Sequence, residues 1–209
     1  MVKKLGKYIH CDYCGKLVWK ENNQLKNKKN LFCSYECWGN FQKQPMKYSI
    51  CDDYATFIVT DKFQNKHLCY IDIDDVKFLD HKFCIVFNEN DKAYWLQDFH
   101  GNKLHRLIMN PPRHLCVDHI NHNTLDNRKS NLRICTRGEN NQNKSGSSIT
   151  SSTKIRNVYF KKGDNKYFVK ITVNGKGHFR GYFPNTEEGL NSAIKVAEEL
   201  RKELMPFAT

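Results

Sequence analysis

No apolar run in this chain, Phe83–Phe87 included, approaches the roughly 20 residues that a membrane-spanning helix needs. The first residues, Met1-Val2-Lys3-Lys4-Leu5-Gly6-Lys7, are basic but run into polar sequence, without the apolar stretch and small-residue cleavage site of an export signal. The expectation is a soluble, cytoplasmic protein with no membrane partner. Acidic residues are under-represented: 22 Asp and Glu face 34 Lys and Arg, a net charge of +12. Positive charge flanks an acidic middle at residues 51–99, a distribution that suits a polyanionic partner but does not by itself identify one. The cysteines lack a pairing pattern. They number 9, an odd count, and Cys51, Cys69, Cys84, Cys116 and Cys135 are scattered, which excludes a disulfide framework and fits a reducing compartment. No internal repeat is evident.

The other four cysteines have metal spacing. Cys11 and Cys14 form a C-x2-C pair followed by Gly15, and Cys33 and Cys37 a C-x3-C pair. Two such knuckles can direct four thiolates at one tetrahedral Zn2+, a structural site because no coordination position is left open. Residues 48 to 99 alternate apolar and polar positions, as in Ala55-Thr56-Phe57-Ile58-Val59 and Leu68-Cys69-Tyr70-Ile71, and predict short antiparallel strands. The acidic cluster Asp72, Asp74 and Asp75 is expected to be a solvated loop or a helix start.

Residues 144–153, rich in Ser, Thr and Gly, read as a flexible linker. Beyond it, three strands are predicted over Arg156–Phe160, Lys166–Val173 and Lys176–Phe183, the last two joined by the Asn174-Gly175 turn signal. A helix follows, with Asn185 expected as its cap, Glu188 at N3 and a core stripe of Leu190, Ala193, Ile194, Ala197, Leu200 and Leu204. Strict alternation points Tyr167, Val169, Ile171 and Val173 at that helix and leaves Lys166, Phe168 and Lys170, with His178 and Arg180, on the outward face.

The chemistry-bearing stretch reads Leu104-His105-Arg106-Leu107, Val117-Asp118-His119-Ile120-Asn121, Leu125-Asp126-Asn127-Arg128, then Ser130-Asn131-Leu132-Arg133, and Thr136-Arg137-Gly138-Glu139-Asn140. It resembles the HNH (ββα-metal) nucleases, in particular the homing-type branch of phages and bacteria. The resemblance implies phosphodiester hydrolysis, with His119 as general base, Asp118 and Asn140 as metal ligands, and Asn131 bracing the loop that holds the base. An imidazole with its ordinary pKa of about 6.5 is largely neutral at physiological pH and able to accept a proton from water. Hard oxygen donors from one Asp and one Asn suit Mg2+, or Mn2+, better than zinc. Arg106, Arg128, Arg133 and Arg137 are candidate phosphate contacts, some of them with structural ion-pair roles instead. Where the family usually has Gly after Ile-Asn, this chain has His122; if that turn requires positive φ, His122 is strained.

The C-terminal module resembles the three-strand-plus-helix DNA-binding domain of plant ethylene-response factors, through Val158-Tyr159-Phe160, Phe168-Val169-Lys170-Ile171, Gly181-Tyr182-Phe183 and Ala193. That resemblance implies a sheet laid in the major groove of double-stranded DNA, with Arg156, Lys166, Phe168, Lys170, His178 and Arg180 as candidate contacts. The expected architecture is α+β and modular: zinc finger 1–44, β-rich scaffold 45–103, nuclease core 104–143, linker 144–153 and DNA reader 154–209. The expected function is a site-directed, homing-type DNA endonuclease, a monomer rather than a dimer, that nicks. The alternative is a DNA-binding regulator that keeps the fold without cutting. An RNA-binding module is disfavoured because no aromatic single-strand platform is recognisable.

Overall fold

The computed structural model describes residues 5–26, 28, 30–89, 92–144, 146–147 and 151–208. The basic Met1–Lys4 segment and, within the expected linker, positions 145 and 148–150 lie outside these residues. The fold is mixed α+β, in two compact units: Met1–Asn110 with Asn123–Leu132, and Pro111–His122 with Arg133–Thr209.

The first unit opens with β1 (Gly6–His10) paired antiparallel to β2 (Leu17–Glu21). Their connection is a knuckle: Gly15, at φ 75°, donates its N–H to the Cys11 carbonyl at 2.9 Å. After a single turn, α1 (Asn22–Leu25), helix α2 (Tyr35–Gln42) is capped by Ser34, whose hydroxyl accepts the Cys37 N–H at 3.1 Å. Strands β3 (Tyr48–Cys51), β4 (Tyr54–Thr60) and β5 (Lys66–Asp72) form an antiparallel meander, and β6 (Cys84–Asn88) pairs with β7 (Ala93–Gln97). The predicted alternation is realised: Ala55, Phe57, Val59, Cys69 and Ile71 enter one core with Leu79, Phe83 and Leu96. Leu104 of helix α3 (Leu104–Met109) is fully buried in the same core, so the His-Arg-Leu segment is seated by the scaffold strands.

The acidic cluster marks a helix start, as expected. Asp72 precedes a 3₁₀ helix over Ile73–Asp80, with Asp74 and Asp75 in its first turn, where the helix dipole favours negative charge. The expectation of a solvated cluster is corrected for Asp75, which is 2% exposed and ion-paired to Lys129 Nζ at 2.7 Å. Two loops repeat one design that went unnoticed in the sequence. In Asp61–Asn65 and Asp98–Asn102 the Asp side chain accepts the Asn backbone N–H (2.9 and 2.8 Å) and its amide (3.0 and 2.8 Å). The residue before each Asn, Gln64 or Gly101, has positive φ (70° and 87°). These bonds hold both Asp carboxyls below the usual range despite a burial penalty that acts in the opposite sense.

The second unit contains β8 (Cys116–His119), which forms a ribbon with β9 (Leu132–Cys135), and α4 (Arg137–Gln142), packed on β8. Then come β10 (Val158–Lys161), β11 (Lys166–Val173), β12 (Lys176–Pro184) and α5 (Glu187–Leu204). The three strands form one antiparallel sheet in the order β10-β11-β12, and Asn174 and Gly175 take positive φ in the expected hairpin turn. Val158, Val169 and Ile171 meet Ala193, Ala197 and Leu200 in a second core.

Two local expectations are corrected. The cap of α5 is Thr186, which accepts the Gly189 N–H at 3.0 Å, because the helix starts one residue later than Asn185 would place it. More consequential is a β-bulge. Phe168 faces Tyr182 but Val169 faces Arg180, so Gly181, at φ 61°, is the extra residue. Cross-strand partners share a face. His178, opposite Ile171, and Arg180, opposite Val169, therefore lie on the helix side, where Arg180 approaches Glu203 of α5 at 3.9 Å. Phe179 and Tyr182 take the outward positions instead.

Candidate active site

Asp118 and His119 are consecutive on β8, and both are buried, at 7% and 3% exposure. Neighbouring strand residues point to opposite sides, so carboxylate and imidazole leave the strand in different directions. The Asp118 carboxylate is held through one oxygen, Oδ2, which accepts Arg133 Nε at 2.9 Å, Arg133 Nη2 at 2.7 Å and Asn143 Nδ2 at 3.0 Å. Arg133 is in turn fixed from behind: its Nη2 donates to the Phe207 carbonyl at 2.6 Å and its guanidinium lies 4.6 Å from the centre of the Phe207 ring.

Asn143 is the residue that sequence reasoning missed. It is 3% exposed, and besides Asp118 its amide donates to the carbonyls of His119 at 3.1 Å and Ile120 at 3.3 Å. One side chain at the end of α4 thus ties that helix to the end of β8. The helix itself begins in a capping box: Thr136 Oγ1 accepts the Glu139 N–H at 3.2 Å while Glu139 accepts the Thr136 N–H at 2.7 Å. The same backbone donor lowers the Glu139 pKa. This start sets Asn140 within the helix, half-buried, three residues before Asn143. The only advance signal for Asn143 was its place in the Asn-rich run that ends the motif.

The turn after β8 does require positive φ. His122 has φ 65° and donates its N–H to the His119 carbonyl at 3.1 Å, so the residue standing where the family has Gly adopts the left-handed conformation. Asn131 belongs to the first unit. There its amide donates to the Asp126 carbonyl at 2.9 Å and approaches that of Asn123 at 3.5 Å, closing the 123–131 loop on itself.

The candidate DNA contacts divide by environment. Arg128 chelates Asp126 with two bonds of 2.8 Å, and its guanidinium is 5.1 Å from the centre of the Tyr54 ring. Arg133 serves Asp118. Arg156 donates to the backbone carbonyls of Gln142 and Lys144, and burial lowers its pKa. Arg137 is exposed at the start of α4, and Arg106 is half-buried on α3. Lys166 and Lys170 are exposed on the outward sheet face around Phe168.

At the N-terminus the sulfurs of Cys11, Cys14, Cys33 and Cys37 lie within 4.8 Å of one another, with Cys14–Cys33 at 3.6 Å and Cys33–Cys37 at 3.3 Å. Four thiolates about 2.3 Å from a tetrahedral zinc ion would be roughly 3.8 Å apart, so the cluster fits that ion. Burial raises the Cys11 pKa, but backbone donors of Cys14, Cys33 and Tyr13 outweigh it and bring the thiol down to about 6. By contrast, burial pushes Cys69 up to about 12 and Cys135 up to about 11, which marks them as packing residues. The Asp118 carboxylate on β8 is a hard oxygen donor of the kind a divalent cation takes.

Residues 103–142, from the start of α3 through α4, match a family model described as HNH endonuclease. A curated relative, the uncharacterized HNH endonuclease L560 of Acanthamoeba polyphaga mimivirus, is 37% identical over 91 residues, or 43% of this chain and 44% of that protein. The chain thus matches less than half the length of that relative. No solved structure matches. Asp118, His119, Asn131 and Asn140 all fall within the residues that are similar to the HNH endonuclease family.

Proposed function

We propose that the chain is a site-directed, homing-type endonuclease that hydrolyses DNA one strand at a time with a divalent metal. Its catalytic base is His119, its metal ligands are Asp118 and Asn140, and the ion is Mg2+ or Mn2+. Zn2+ on the four cysteines has a structural role. Asp118 and Asn140 would hold the catalytic ion, which would offset the charge that develops on the phosphoryl oxygens. The remaining work falls to the chain. His119 takes a proton from the attacking water, whose oxygen bonds to phosphorus as the bond to the leaving oxygen breaks and that oxygen takes a proton from solvent water. Arg133 and Asn143 orient the carboxylate through Oδ2, which leaves its other oxygen for a cation. Asn131 keeps the 123–131 loop closed, and the flanking modules hold the DNA.

The observation that carries this reading is the buried Asp118–His119 pair on β8, closed over by Asn143 at the end of α4, within the segment that matches the HNH family. Supercoiled plasmid incubated with the monomeric protein and Mg2+ is expected to give open circles that accumulate well before linear molecules, and nothing with EDTA. Direct linearisation by monomer contradicts the nicking assignment. Tight DNA binding without cleavage in Mg2+ or Mn2+ would instead favour a regulator that keeps the fold.

A further inference from the structure

The bulge at Gly181 builds a surface that strict alternation hid. Four aromatic rings meet on the outward face of the β10-β11-β12 sheet. Phe168 is central: Tyr159 stacks beside it with centroids 5.2 Å apart and planes at 23°, Tyr182 lies at 6.1 Å and Phe179 at 6.4 Å. Phe179 and Tyr182 are also 5.1 Å apart. Tyr159, Phe179 and Tyr182 are 40%, 46% and 51% exposed, and Phe168 between them is half-buried. Exposed aromatic groups that cluster on a sheet, away from its helix, contribute little to the core and mark a contact surface.

We infer that this face binds single-stranded DNA, with unpaired bases stacked on the rings. Charge selects the partner. Lys161 lies 5.6 Å from the Tyr182 ring, and Lys166 and Lys170 are exposed on the same face as Phe168. The only acidic residue from Ser151 to Asn185, Asp164, is ion-paired to Lys161 at 2.8 Å. Rings framed by cations suit a flexible polyanion whose bases have π-faces, because stacking is indifferent to base identity and the lysines follow the backbone. The same lysines would repel a second copy of this chain. Reading a duplex through its major groove needs donors and acceptors aimed at base edges. Here the expected polar contacts, His178 and Arg180, lie on the other face, and phenyl rings hold the outward positions. The choice of DNA over RNA rests on the nuclease reading; the stacking surface does not.

The test is fluorescence anisotropy with the full chain, no added Mg2+ and fixed salt. It compares oligothymidylate of about 16 nucleotides, its RNA counterpart and a duplex of equal length. Phe179→Leu and Tyr182→Leu keep apolar bulk but remove the π-faces, and both side chains are exposed enough to spare the core. Each is expected to weaken single-strand binding by about tenfold, within the range for losing one stacked base, and duplex binding by less than about twofold. Unchanged single-strand affinity overturns the inference, and so does an equal loss on duplex, the signature of a groove reader. It is equally overturned by tighter binding of the RNA strand, or by a protein that dimerises in solution through these rings. Because no cleavage is measured, a chain that binds single strands but never nicks leaves this inference standing and removes only the nuclease reading.

Discussion

Removal of zinc is expected to unfold the N-terminal module while leaving the β-rich core of the first unit intact. Among the described residues of that module, only Ile9 and Cys11 are buried, and α2 buries none. An apolar core that small cannot offset the entropy of ordering the segment. A structural zinc site contributes on the order of 10–16 kcal/mol at neutral pH, enough to decide whether such a segment folds. The chain as purified should carry one zinc ion by elemental analysis. A strong chelator, or Cys14→Ser, should erase the dispersed amide resonances of β1 and β2. Those of β4 and β5, whose residues Phe57 and Ile71 lie in the larger core, should persist. Retained dispersion in β1 and β2 without zinc would show that the cysteines serve some other end.

Asp118→Asn is expected to lower nicking by about a hundredfold, close to 2.7 kcal/mol of transition-state stabilisation. It should also weaken Mn2+ binding, read by electron paramagnetic resonance, by tenfold or more. The choice of Asn matters. Arg133 and Asn143 both donate to Oδ2, and an amide oxygen can still accept from them, so the packing of α4 and Phe207 is kept. Asp118→Ala would strand a guanidinium that is only 21% exposed beside an empty site, and breaking a buried pair costs about 3–5 kcal/mol. Loss of activity in that variant would therefore report unfolding as much as chemistry. Mn2+ affinity unchanged in Asp118→Asn would move the metal site elsewhere.

Features set by local periodicity were legible in the sequence. Alternation located β4, β5 and β11, and the helical stripe from Leu190 to Leu204 located α5, because burial of one face forces those periods. The order of Asp118, His119, Asn131 and Asn140 was legible for a different reason: it follows a motif whose family model matches residues 103–142. What escaped were features decided between segments. The Asp75–Lys129 pair joins positions far apart in the chain, and Asn143 gains its role only once α4 lies on β8. Arg133, expected as a phosphate contact, gives its Nε and Nη2 to Asp118 and the Phe207 carbonyl, partners that only the fold brings to it. Gly181 is the sharpest case. One residue inserted into β12 exchanged the two faces of half a strand, moved His178 and Arg180 to the helix side and set Phe179 and Tyr182 among the outward lysines. His122 shows the reverse, since the missing Gly was visible and the positive φ it implied is present.

The central claim, that His119 activates water at a metal-assisted site, is tested most directly by single-turnover nicking of supercoiled plasmid with His119→Ala in saturating Mg2+. Folding is checked by the unit-two amide resonances and DNA binding by anisotropy. The account predicts a first-order rate about 10²–10⁴-fold below the unsubstituted protein, with DNA affinity retained. A rate within about threefold of it, in a variant that folds and binds DNA, would contradict the assignment of His119 as the base.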